Sequence, residues 1–132
     1  MIAVDASAVI AFFLREEGWK DLARYMVRTV SVDHVVKEFY NAVWKATYLR
    51  NRLNRRQAEE ALRLFMEYLS KNIELKDEIM YINDSYRIAL STGLTIYDSL
   101  YIALAVKENL PLLTLDQRQR AVARKLGIST VP

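Results

Sequence analysis

Three apolar runs of three or four residues, Ile2–Val4, Thr29–Val32 and Leu112–Leu115, constrain this chain more than any other feature. Each is too short to be a core helix and each is followed by a segment of helical periodicity, so each reads as a buried strand. Ile73–Leu75 and Ile128–Val131 read as two further short strands. Helical segments fill the intervals: Ser7–Leu14, Gly18–Val27, Val35–Arg52, Arg55–Lys71, Glu78–Ser91, Thr95 to Asn109, and Gln117–Leu126. Asp33 and Asn54 stand where helices need N-caps, and Gly93 and Gly127 where helices stop. Strands joined by crossover helices pair in parallel, and such a sheet is covered on both faces. The expected fold is therefore α/β, a three-layer α/β/α arrangement with a central parallel sheet. Hydrophobic residues make up 52% of the chain and only three Gly and two Pro interrupt it, so residues 1–132 are expected to form one domain without a linker.

That fold class draws attention to the acids. In open α/β sheets the ligand crevice lies beyond the carboxyl ends of the strands. Asp5 ends the first strand, Asp116 follows LLTL, and Glu38 lies in the first turn after TVSV. Asp98 sits in the otherwise apolar stretch TIYDSLYIALAV, at the start of the helix leading to LLTL. Each acid has a local explanation. Asp5 and Asp116 can cap the helices they precede, Glu38 can complement a helix dipole, and Thr95 with Asp98 resembles a capping box. Capping, however, requires no convergence. If the sheet is parallel, all four acids arrive at one edge, where two carboxylates about 4 Å apart repel by roughly 4 kcal/mol at an effective dielectric near 20. Such a group takes up protons or binds a cation. Oxygen ligands favour a hard divalent ion, Mg²⁺ with Mn²⁺ as substitute. Zinc is disfavoured: there is no Cys, and His34, the only His, reads as a surface or loop residue beside Asp33. A carboxylate-held Mg²⁺ in turn favours a phosphate-bearing substrate.

The absence of Cys also removes disulfides, thiolate metal sites and Cys nucleophiles. The start, MIAVDASAVI, has no basic leader region, and no uncharged run approaches the roughly 18 residues of a membrane span, so a soluble cytoplasmic protein is expected. The net charge is +3, a mild bias whose distribution matters more than its size. Lys45, Arg50, Arg52, Arg55 and Arg56 form one cluster without an intervening acid, and Arg118, Arg120, Arg124 and Lys125 form another. Either is a solvated helix face or a phosphate-contacting surface.

The quartet of Asp5 in VDASAVI, Glu38 in VVKEFYNAV, Asp98 in TIYDSLYIALA and Asp116 in LLTLD resembles the PIN-domain nucleases, and within them the VapC-type ribonuclease toxins. The resemblance covers nearly the whole chain. It implies an α/β/α fold, Mg²⁺ or Mn²⁺ as cofactor, RNA as substrate, a small antitoxin as partner and a homodimer. It also implies that Ser7 and Asn41 are polar supports of the acidic pocket and that Thr114 holds a position where a hydroxyl is common.

On this reading Asp5, Asp98 and Asp116 hold the metal, and Glu38 completes the metal shell or deprotonates the attacking water. The two basic clusters, Arg50, Arg52, Arg55, Arg56, Arg118 and Arg120 among them, are candidates to hold the RNA backbone. Tyr97 and Tyr101, four residues apart, read as core packing or a dimer face before they read as base-stacking residues. Tyr40, Trp44, Phe65, Met66 and Leu69 read as core first and as a partner surface second. Two other small α/β classes fit less well. A phosphoaspartate receiver carries an acidic pair where Asp5 is flanked by Val4 and Ala6, and a haloacid-dehalogenase phosphatase has a second Asp where this chain has Ser7. The remaining alternatives are a PIN-like module that binds RNA or protein without cutting, and a nuclease of RNA maturation.

Overall fold

The computed structural model describes residues Met1–Pro132. Five parallel strands form its centre: β1 (Ile2–Val4), β2 (Thr29–Val32), β3 (Ile73–Lys76), β4 (Leu112–Leu113) and β5 (Thr130–Val131). Their spatial order is β3-β2-β1-β4-β5. Ala3 is the pivot of the register, paired with Val30 on one side and Leu112 on the other. Seven helices surround the sheet: α1 (Ala6–Phe13), α2 (Trp19–Leu22), α3 (His34–Trp44), α4 (Arg55–Lys71), α5 (Ile82–Thr92), α6 (Ile96–Glu108) and α7 (Gln117–Lys125). No single helix is long and apolar enough to cross a membrane.

The chain runs outward from β1 through β2 to β3, then returns to β1's other side for β4 and β5. Right-handed crossovers therefore put α1 to α4 on one face and α5 to α7 on the other. Packing agrees: α1, α3 and α4 touch one another, and α6 touches both α5 and α7. The strand order reverses between β1 and β4, and at such a switch point the two outgoing loops part and leave a crevice. Helix α6 lies against β1, β2 and β4, and Ser99 to Ala105 are buried without a break. A helix segment buried on every side has no polar face, which is why Leu100 to Ala105 is apolar throughout.

Several expected boundaries move, each for a local reason. The helix expected over Val35–Arg52 begins at His34 and keeps α geometry only to Trp44; Lys45–Leu49 is a wider π-helical turn. There the Thr47 hydroxyl donates to the Val43 carbonyl at 2.7 Å, a side chain competing for a helical acceptor. Asp33 is not a cap. Its backbone is already helical and its carboxylate instead accepts the Glu78 N–H at 3.1 Å, fastening the exit of β2 to that of β3. The helix expected over Gly18–Val27 is a single turn, α2, followed by a 3₁₀ turn at Ala23–Tyr25. Strand β4 is only Leu112–Leu113; the Thr114 N–H still donates to the Val131 carbonyl at 3.0 Å, and its hydroxyl is on Asp5. By contrast, Asn54 and Gln57 form a reciprocal capping box at the start of α4, and Gly93 closes α5 at φ +80°, the left-handed region that favours glycine.

Candidate active site

The loops leaving β1 and β4 carry Asp5, Ser7, Thr114 and Asp116 to the two sides of the switch point. Asp5 is fully buried. It caps α1, with Oδ1 accepting the Ala8 N–H at 3.0 Å. The Ser7 hydroxyl lies 2.7 and 2.9 Å from its two oxygens, and Thr114 Oγ1 donates to Oδ2 at 2.5 Å. Both hydroxyls also accept: Ser7 from the Leu115 N–H at 2.9 Å and Thr114 from the Asp116 N–H at 3.1 Å. They thus bind the exit of β4 to the exit of β1. Burial raises the Asp5 pKa to about 6, against the pull of these donors and with a smaller push from the Asp116 charge.

Asp116 caps α7, its Oδ1 accepting the Arg118 and Gln119 N–H groups at 2.9 and 3.1 Å. Asp98 lies in the first turn of α6, which Thr95 caps by accepting the Asp98 N–H at 3.2 Å. Gln119, buried, donates from Nε2 to Asp98 Oδ1 at 3.2 Å and so ties α7 to α6. Burial and then the Asp116 charge push the Asp98 pKa up; Arg118 is among the groups that pull it down. Glu38, half-buried on α3, accepts the Tyr101 hydroxyl on Oε1 at 2.6 Å and has His34 Nε2 3.2 Å from the same oxygen. Oε2 has no protein partner. Tyr101 is fully buried, and its pKa is pushed far up by burial and then by the charges of Glu38, Asp5 and Asp98.

The acids are linked in pairs: the Asp116 charge acts on Asp5 and on Asp98, and the charges of Glu38, Asp5 and Asp98 act on the Tyr101 phenol between them. Capping and convergence are compatible, since Asp5 and Asp116 do both. The side chains are nonetheless each turned onto their own donors, and no three of them stand at a spacing that would hold one ion directly. The donor set consists of carboxylate and hydroxyl oxygens, which suits a hard divalent cation. Gln119 Oε1, buried beside Asp98, lacks a donor, which the water shell of a hydrated cation would supply.

Asn41 is exposed and lines two cavities together with Glu38. The larger, 440 Å³, also has Lys45, Arg50 and Arg52 on its wall, so part of the first basic cluster adjoins Glu38. Arg56 faces a separate 360 Å³ cavity, and Arg55 is exposed at the start of α4. The second cluster divides. Arg118 is exposed beside Asp116, donating to the Gly93 carbonyl at 3.2 Å. Arg120 turns inward, donating to the Thr114 carbonyl at 2.7 Å and the Pro132 carbonyl at 3.3 Å, and Arg124 donates to Thr130 Oγ1 at 2.8 Å. Arg120 is thus a brace for the loop that carries Asp116.

Three neighbours of the acids lie outside the sequence expectation. His34 is no loop residue: it opens α3, its side chain is only 12% exposed, and its ring stacks on Tyr97. The signal available for it was its i,i+4 spacing to Glu38. Tyr101 was legible as core, and a buried phenol needs a polar partner. Gln119 carries no signal, since its contact with Asp98 spans 21 residues.

The family model for the PIN domain matches residues 2–125. The chain belongs to the PIN domain family. It is also 31% identical over 134 aligned positions, 99% of this chain and 98% of the relative, to Ribonuclease VapC3 of Pyrobaculum aerophilum. Among solved structures, the crystal structure of PAE2754 from Pyrobaculum aerophilum is similar with a TM-score of 0.71 at 25% identity, over 98% of this chain and 88% of that one. A PIN-like α/β fold, a five-stranded parallel sheet flanked by helices, is thus supported from sequence, topology and structural likeness together.

Proposed function

We propose that this PIN-domain protein is a Mg²⁺- or Mn²⁺-dependent endoribonuclease and the toxin of a toxin–antitoxin pair. The observation that carries the reading is Asp5: a carboxylate fully buried at the carboxyl end of the central strand, kept there at an electrostatic cost to which the Asp116 charge adds. Its hydrogen bonds from Ala8, Ser7 and Thr114 fix its place but do not outweigh the cost of burial, whereas a cation would offset it. The full-length likeness to a ribonuclease named VapC3 supports RNA as the substrate, and on the same reading the chain pairs with a small antitoxin.

Asp5, Asp98 and Asp116 would hold the ion, in this side-chain arrangement through its water shell, with the Ser7 and Thr114 hydroxyls fixing the Asp5 carboxylate. Bound there, the cation supplies Lewis acidity: an acidified water as nucleophile and positive charge against the phosphate oxygens. Glu38 takes the proton of the attacking water at Oε2, the oxygen without a protein partner, while Tyr101 and His34 hold Oε1 and fix the carboxylate's direction. Lys45, Arg50 and Arg52 hold the RNA backbone along the cavity that Glu38 and Asn41 share. Arg118 lies on the α7 side for the same purpose.

The test is cleavage of single-stranded and structured RNA with Mg²⁺ or with EDTA. The wild-type chain cuts only with the metal; Asp5→Asn and Asp98→Asn each lose cleavage while keeping the wild-type circular-dichroism spectrum. Cleavage that persists in EDTA, or in Asp5→Asn, sinks the assignment.

A further inference from the structure

We propose that Tyr97, backed by His34, is a stacking platform for one unpaired RNA base beside the acidic centre, an inference that rests on the ribonuclease reading above. The two tyrosines of α6 meet opposite fates. Tyr101 is buried with its hydroxyl on Glu38, whereas Tyr97, four residues earlier, is 60% exposed. Its ring lies nearly parallel to the His34 imidazole, with centroids 5.0 Å apart and an interplanar angle of 13°. His34 is itself fixed by burial and by Glu38. The imidazole covers one face of the phenol and leaves the other to solvent. A ring already held flat gives up little side-chain freedom when a ligand arrives, so stacking on it is inexpensive.

The same pair lines an open cavity of 430 Å³ together with Lys37, Glu38, Asn41 and Asp98. Apart from the aromatic rings this wall is polar, so an apolar peptide segment would find little more to bury there. A nucleotide finds matching chemistry at each position. The base has a flat face for Tyr97. Asn41, exposed and without a hydrogen bond of its own, offers both a donor and an acceptor to a base edge. Lys37, 68% exposed and only loosely paired with Glu78 at 3.6 Å, offers a cation to a phosphate. Because every base has a π-face, the platform positions the strand, and any base preference falls to Asn41. The nucleotide so held flanks the phosphate presented to Glu38 and Asp98.

The experiment measures fluorescence anisotropy of a short labelled single-stranded RNA on the full chain carrying Asp5→Asn, which removes cutting. Adding Tyr97→Ala weakens binding about tenfold, Tyr97→Trp restores it, and His34→Ala produces a smaller loss. The Tyr97→Ala loss disappears on an abasic ribose–phosphate chain of the same length, which has nothing to stack. Unchanged affinity in Tyr97→Ala overturns the inference, as does an equal loss on the abasic chain or no binding by the parent. Metal-dependent cleavage by the wild-type chain is scored separately. Cleavage with Tyr97-independent binding removes the platform alone; Tyr97-dependent binding without cleavage removes the nuclease reading alone.

Discussion

The Asp5 carboxylate accepts hydrogen bonds from Ala8, Ser7 and Thr114, yet burial outweighs them and holds its pKa at about 6 against an ordinary 3.8. Its folded-state value is raised, so the native state binds the proton more tightly than the unfolded chain. The protonated group stabilises fully below about pH 4, and that stability is lost as pH rises toward 6. The difference amounts to about 3 kcal/mol. The upward shift of Asp98 acts in the same direction. Without divalent ions, melting temperature should therefore rise as pH is lowered from 7 to 5, and Asp5→Asn should raise it at pH 7 and flatten this rise. A wild-type profile that runs parallel to the mutant's refutes the burial account. Tyr101→Phe isolates the other carboxylate. Losing the 2.6 Å bond frees Glu38 to turn away, and about a tenfold fall in kcat is expected with little change in KM. A fall in KM-controlled binding with intact kcat would assign Tyr101 to packing alone. The four acids were legible singly, because each sits at a strand end or in a first helical turn. Their supports at Tyr101 and Gln119 were not, because those contacts join α3 to α6 and α6 to α7, and local pattern carries no trace of such pairings; the His34 contact, within α3, left only its i,i+4 spacing to Glu38.

At the scale of elements, Asn54 and Gln57 show how far local chemistry can be read. Asn54 Oδ1 accepts the Gln57 N–H at 2.8 Å and Gln57 Oε1 accepts the Asn54 N–H at 3.0 Å. Asn54→Ala should destabilise the fold by about 1 kcal/mol, measured by urea unfolding. A loss near zero would mean that packing of α4 alone sets its start. Where signals are local, as in this box, in Gly93, and in β1 and β2, sequence and structure coincide. Where a side chain answers to a distant partner, they part. Asp33 looks like a cap but serves Glu78, 45 residues away. Thr114 looks like strand, and its N–H does pair with Val131, but its side chain serves Asp5, 109 residues away. The long helix expected from Val35 breaks its α form after Trp44, and the chain turns at Asn51 with φ +51°. That turn brings Arg50 and Arg52 back over the cavity they share with Glu38.

At the scale of the whole molecule, strand order decides what the acids can do together. With β1 central and the chain reversing between β1 and β4, Asp5 and Asp116 leave on two sides of one crevice, while α3 and α6 bring Glu38 and Asp98 from opposite layers. The repulsion among them is a property of the folded state; in the unfolded chain these residues are far apart and hydrated. A cation that binds only the folded state must therefore add to stability by mass action. At about 100 times its dissociation constant, Mg²⁺ or Mn²⁺ should contribute roughly 2.7 kcal/mol, a rise in melting temperature of about 10 °C for a domain of this size. The rise should be saturable, should be absent with Na⁺ at matched ionic strength, and should shrink in Asp5→Asn and Asp98→Asn. Lowering pH from 7 to 5 should weaken it as well, because a proton on Asp5 competes with the metal for the same oxygens. Competition separates a specific site from general screening, since screening by salt has no reason to follow the protonation of one buried carboxylate. A melting temperature that Mg²⁺ and Mn²⁺ leave unchanged at pH 7 would mean that the four acids are tolerated through their own hydrogen bonds and hold no ion.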